Sequence, residues 1–213
     1  DDKLRLVFTK IGGRLKQAEV ILGEAGELNS LLIKENPEEL DTEALYPLGL
    51  RFEHSDVQDE LDYRRFDADV SSDRSSVVFT LTTPGAMQVR KTFSLNEKAH
   101  VLDVSIDYMN LESQSRQLGR DTDPAYTLNW GPGVASPDAG NFFKPSVLWN
   151  EVDADEADKL YINKMPDEGE TAENRHINNL DWIGFRTKYF LASIQSPDGV
   201  APVDGWVSGT QER

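Results

Sequence analysis

Between residues 77 and 109, apolar and polar side chains alternate with a period of two through three successive runs. That pattern suits strands and conflicts with a helical face. Val77, Phe79 and Leu81 alternate with Val78, Thr80 and Thr82. Pro84-Gly85 follows as a turn signal. Met87, Val89, Lys91 and Phe93 then alternate with Gln88, Arg90 and Thr92. In the third run, Leu102, Val104, Ile106 and Tyr108 oppose Val101, Asp103, Ser105 and Asp107, as in a half-exposed antiparallel strand. Together the runs predict a meander with strands at 77–83, 87–95 and 101–109.

The rest of the chain adds strands rather than helices. Leu4 to Phe8 alternates and leads into Gly12-Gly13, where positive φ costs glycine little; Leu15 to Leu22 reads as the return strand of a hairpin. Leu28 to Lys34 is a short apolar piece, Asn36 to Glu43 an acidic loop, and Leu48, Leu50 and Phe52 alternate again. His54 to Asp73 is a polar surface excursion with one short strand at Phe66 to Val70. Ala125 to Trp130 reads as a strand ending in Gly131-Pro132-Gly133. Val147 to Trp149 and Leu160 to Ile162 are shorter candidates, with acidic Asp153 to Asp158 between them. Met165 to Asn179 is polar and turn-rich. Asp181 to Ile194 is the longest run of strand-forming residues, closed by Ser196-Pro197-Asp198-Gly199, and both of its faces are largely apolar. It is expected to be one strand lying between two layers. Few segments hold a 3.6-residue period for ten residues. The expected fold is all-β: an antiparallel two-sheet β-sandwich with few short helices. At 213 residues, a single domain spanning 1–213 is the default.

Charge and residue types limit the chemistry. The 22 Lys and Arg against 38 Asp and Glu give a net charge of −16. That disfavours nucleic acid as a partner and adhesion to anionic lipid, both of which need basic clusters. Cysteine is absent, which excludes disulfides and thiolate chemistry. No apolar run approaches the length of a membrane span, and no signal peptide is evident. The chain opens on Asp1-Asp2 without an initiator Met and reads as an excised segment. His54, His100 and His176 sit in polar, loop-like contexts and lack zinc-ligand spacing. Asp153, Asp155, Glu156 and Asp158 do not follow the EF-hand order of calcium ligands and read as a solvated face. Gly205-Trp206-Val207-Ser208-Gly209 places its serine one position late for a nucleophile elbow. Trp130, Trp149, Trp182 and Trp206, with Tyr126, Tyr161 and Tyr189, are assigned to packing before any sugar-stacking groove. Arg186 and Lys188 are expected to share one strand face and to pair with acids on neighbouring strands.

Four segments, in order, resemble the large periplasmic domain of the YidC family of bacterial membrane protein insertases. They are Ile11-Gly12-Gly13-Arg14-Leu15-Lys16-Gln17-Ala18; Val89 to Leu95 with Val101-Leu102-Asp103-Val104 and Tyr108-Met109-Asn110; Leu128-Asn129-Trp130-Gly131-Pro132-Gly133; and Asp181 to Ala192. The resemblance implies a β-supersandwich related to galactose mutarotase, at the periplasmic face of the inner membrane, in a multi-pass protein whose transmembrane segments are absent from this chain. It implies a non-catalytic role in insertion and folding of inner-membrane proteins. The implied partners are Sec translocon accessory subunits and nascent membrane proteins. No catalytic, cofactor-binding or metal-binding residue is carried over, and no motif marks a partner contact. The family's domain usually continues through further strands and a helix, whereas only Gln195 to Arg213 follow the last segment here. The alternative is a carbohydrate-binding or mutarotase-like sandwich, which as an enzyme would need an acid and a base across a sugar ring, usually a His with a Glu.

Overall fold

The computed structural model describes residues 4–22, 27–30, 46–52, 61, 64–96, 100–115, 126–131, 145–166, 173–197 and 203–209. Among these the regular secondary structure is almost entirely strand, and every strand pairing is antiparallel. The residues fall into two compact units, Asp1–Pro132 and Gly133–Arg213.

In the first unit, β1 (Leu4–Thr9) and β2 (Arg14–Leu22) form the expected hairpin, and β3 (Glu27–Ser30) extends it to three strands. Gly12 and Gly13 turn the chain with φ of 69° and 55°, a region that a Cβ would strain. β4 (Gly49–Phe52) pairs with a later strand, β9 (Tyr126–Asn129). Between them runs the predicted meander, preceded by one short strand: β5 (Asp67–Val70), β6 (Ser76–Thr82), β7 (Met87–Leu95) and β8 (Leu102–Asn110), in that spatial order. At Pro84-Gly85 the left-handed residue is Ala86, with φ of 54°, and Thr83 closes the turn by accepting from Ala86 N and donating to Met87 O.

The alternation sorts as expected. Val77, Phe79, Met87, Val89 and Phe93 are all buried. Phe8 of β1 packs on them, its ring 4.7 Å from Phe93 and 6.0 Å from Phe79, so the sheet of β1, β2 and β3 packs against the sheet of β5 to β8 as in a sandwich.

The second unit is a five-stranded sheet. β10 (Ser146–Glu151) lies between β11 (Asp158–Tyr161) and β12 (Glu173–Arg186). A single 3-10 turn, Ile162–Lys164, follows β11. The other side of β12 pairs with β13 (Leu191–Gln195) at its C-terminal end and β14 (Val203–Gly209) at its N-terminal end. Val147, Trp149, Met165, Ile177, Leu180 and Val207 form its core, with Leu160, Ile183 and Phe185 packed against it.

This unit corrects two expectations. The run from Asp181 to Ile194 is not one strand: it is the end of β12, a tight turn at Thr187–Phe190, and β13. Thr187 N donates to Phe190 O at 2.8 Å, and Phe190 N to Thr187 Oγ1 at 3.2 Å. A polar Thr can close a hairpin from its side chain, and here it does so inside a run rich in aromatics that masks the signal. The hairpin re-sorts the faces. Ile183 and Phe185 share the core face with Ile194 and Ala192, while Arg186 pairs with Leu191, which is 56% exposed. The run is therefore not covered on both faces. Secondly, within the polar stretch before Asp181, residues 173–179 are strand, not turns, while 167–172 lie outside the described residues. Asn178-Asn179, which looks like a boundary, is a bulge in β12 where Asn179 takes φ of 50°. Asn is one of the few non-glycine residues that tolerate that region.

Asn36–Glu43, His54 and Gly133 lie outside the described residues.

Candidate interaction surfaces

Lys91 is the side chain on which the first unit is organised. It lies on the apolar face of β7 between Val89 and Phe93 and is 1% exposed. Its ammonium donates to Gly12 O at 2.7 Å, Leu48 O at 3.2 Å and Gly13 O at 3.3 Å, and stands 5.9 Å from the centre of the Phe66 ring. A buried cation is tolerated when its donors are taken up, and these carbonyls do so. Leu48, at φ of 64°, in turn donates its N–H to Asn129 O at 2.7 Å. Three of the four segments noted above, at Gly12-Gly13, Lys91 and Asn129, thus converge around one ammonium. The sequence carries a signal for this: a lysine in phase with Val89 and Phe93 on a buried face needs acceptors.

His100 is exposed in a turn at φ of 66°, and Asp153 to Asp158 are all exposed. His176 lies on β12, not in a loop. It stacks on Trp206 at 4.9 Å, and its Nε2 is 3.3 Å from Asp204 Oδ2, with every partner solvent-accessible. Gly205 to Gly209 lie within β14 rather than in a turn. Among the described residues no group of three or more His, Asp or Glu side chains is placed to hold a metal ion. Of the tryptophans, Trp149 is core, Trp130 and Trp182 are half-buried, and Trp206 is 42% exposed.

One titrating group is tuned by a turn. Asp73, between β5 and β6, accepts from Ser71 Oγ at 2.6 Å, Ser75 Oγ at 2.9 Å and Ser75 N at 3.1 Å. These bonds, that from Ser71 foremost, lower its pKa from 3.8 to about 2. A carboxyl depressed in the folded state adds stability that is complete above its unfolded pKa and disappears as pH falls through its folded one. The contribution should therefore vanish between pH about 4 and about 2. NMR titration of Asp73 should show a midpoint near 2, and Asp73→Asn should remove that part of the acid dependence; a midpoint near 4 would contradict the turn geometry.

The surface that suits a macromolecular partner is the β8 edge. Among the described residues β8 pairs with β7 alone, so its outer edge ends the four-stranded sheet. Val104 and Met109 on it, Val101 and Leu111 flanking it, and Tyr126 beside it are all exposed, Met109 at 55% and Leu111 at 49%. The Tyr108 ring meets that of Tyr126 at 5.1 Å with the planes tilted by 47°, and burial, with Tyr126 next to it, pushes its hydroxyl pKa upward, so it stays neutral. A terminal strand with apolar side chains on and around it is a template for an added strand.

No solved structure matches this chain. A curated relative, the membrane protein insertase YidC of Syntrophus aciditrophicus (strain SB), is 26% identical over 200 residues, covering 88% of this chain and 33% of the relative. The chain thus spans about a third of that relative's length. The family model described as the YidC periplasmic domain matches residues 2–204, across both units and all four resembling segments. The chain belongs to the YidC periplasmic domain family.

Proposed function

We propose that residues 1–213 act as one non-catalytic domain of a YidC-type insertase, at the periplasmic face of the bacterial inner membrane. Its work is to support insertion and folding of inner-membrane proteins by binding other proteins. The partners are nascent membrane proteins and accessory subunits of the Sec translocon. One observation carries this reading: among the described residues the outer edge of β8 has no paired strand, and Val104 and Met109 on β8 and Leu111 just after it are exposed. An extended segment can add main-chain hydrogen bonds there and seat alternate side chains on the apolar positions.

The test is titration of the chain with purified Sec accessory subunits and with a peptide carrying one apolar transmembrane segment. Saturable binding is expected, weakened about tenfold or more by Met109→Lys with Leu111→Lys, because removing an apolar anchor from the centre of an interface costs ~1 kcal/mol or more. Absence of binding to either partner at high micromolar concentration contradicts the proposal. A parallel titration with hexoses separates the carbohydrate alternative: saturable shifts with a sugar and none with protein would favour it.

A further inference from the structure

The second unit carries a local reversal of the chain's acidity. Residues 159–166 and 182–197 contain Lys159, Lys164, Arg186 and Lys188 and no Asp or Glu, in a chain of net charge −16. The register brings these segments together. Ser146 pairs with Tyr161 on one side and Arg186 on the other, and Arg186 pairs with Leu191. Directly opposed residues share a face. Tyr161, Arg186 and Leu191 therefore lie in one row on the face away from the core, because the neighbouring row of Val147, Leu160 and Phe185 contributes to the core. Lys159, two residues before Tyr161, is on the same outer face. The 3-10 turn puts Lys164 at this end of the sheet, and the β12–β13 turn puts Lys188 and Tyr189 there.

All four cations are exposed. Lys159 and Lys164 stand over the Tyr161 ring at 5.7 and 5.9 Å, and Lys188 stands over Tyr189 at 4.8 Å. Tyr189 is 50% exposed and Leu191 56%. In the register Arg186 lies opposite Ser146 on one side and Leu191 on the other.

We propose that this basic, aromatic end of the second unit's sheet docks on anionic phospholipid headgroups. The chemistry fits one plane with two layers. Lys and Arg reach phosphates, while Tyr189 and Leu191 enter the interfacial zone where amphipathic rings settle. A bilayer of anionic lipid supplies both in one plane, phosphates at its surface and an apolar layer beneath them for Leu191. Overall charge opposes anionic membranes, so a bound state must present this end and turn the acidic remainder away. The inference rests on the reading that the domain works beside a membrane, but it concerns residues distinct from the β8 edge.

The experiment is flotation of the chain with vesicles of phosphatidylcholine alone or with phosphatidylglycerol added. Binding is expected to the phosphatidylglycerol vesicles only, and to weaken as salt is raised. Each Lys or Arg near such a surface contributes on the order of a fivefold gain, so Arg186→Glu with Lys188→Glu should lower partitioning ~30-fold or more. Tyr189→Ala with Leu191→Ala should lower it while leaving the salt dependence. All four positions are exposed, so these variants should keep the wild-type circular dichroism spectrum. Equal binding to both vesicle types, no binding to either, or an Arg186→Glu/Lys188→Glu variant that binds like wild type would overturn the proposal. So would binding of soluble polyglutamate with no binding of vesicles. Met109→Lys with Leu111→Lys, which disables the proposed protein edge, should leave vesicle binding unchanged; the two proposals therefore fail separately.

Discussion

Replacing Lys91 by methionine should destabilise the first unit by about 3 kcal/mol. Two effects compete. Methionine nearly matches the volume of lysine and removes the cost of burying a cation, which favours the variant. Against that, Gly12 O, Gly13 O and Leu48 O lose the donor that reaches all three. A buried acceptor left without a donor costs roughly 1–3 kcal/mol. All three carbonyls belong to residues at positive φ, held in turns rather than in ladder register, so they cannot shift to a neighbouring strand for a partner. The loss of acceptor satisfaction wins. Lys91→Ala should cost more, because a cavity is added beside Phe66 and Phe93. Urea denaturation followed by circular dichroism should show the midpoint fall with the slope unchanged. A shift worth less than about 0.5 kcal/mol would mean that the ammonium is incidental to the turn.

The second large effect is expected at Gly184. A Cβ there would sit 2.6 Å from Ala192 O, with Ser193 Cβ at 3.0 Å and Ser193 Cα at 3.1 Å. Two of those atoms are backbone of the paired strand β13, so no rotamer change relieves the clash and β12 and β13 must part locally. Gly184→Ala should cost about 2–3 kcal/mol, the range for overpacking a closely fitted site. In a chain of this size that corresponds to a fall of about 5–10 °C in melting temperature. Trp149 and Trp182 sit in the same sheet, so tryptophan fluorescence should report it. Gly184→Ala melting with the wild type would place the β12–β13 pairing elsewhere.

Both sites show what can be read from sequence and what cannot. The meander of β6, β7 and β8 is legible because one face of each strand is apolar and period two is unambiguous there. Gly12-Gly13 is legible because only glycine takes two consecutive left-handed positions cheaply. Lys91 stands in the right phase, but what it holds comes from residues 79 and 43 positions away, which alternation cannot reveal. The hairpin at Thr187–Phe190 is illegible for the opposite reason. It lacks Gly and Pro, and its turn residues, Lys188 and Tyr189 among them, pass equally well as strand. Asn178-Asn179 misleads because Asn favours both strand ends and bulges. The protein edge at β8 is foreshadowed only as a half-exposed strand. The basic end of the second unit stays hidden as long as Arg186 and Lys188 are assigned to one face of a continuous strand.

The family assignment and the strand layout leave one central claim, that the domain works by lending the β8 edge to an extended partner. Amide hydrogen exchange on the chain, with and without a saturating apolar transmembrane-segment peptide, tests it most directly. Slowed exchange across residues 102–110, with β6 unchanged at the sheet's interior, is the predicted result, because an added strand takes up the outward N–H groups of β8. Saturable peptide binding that leaves the exchange of 102–110 untouched would contradict it.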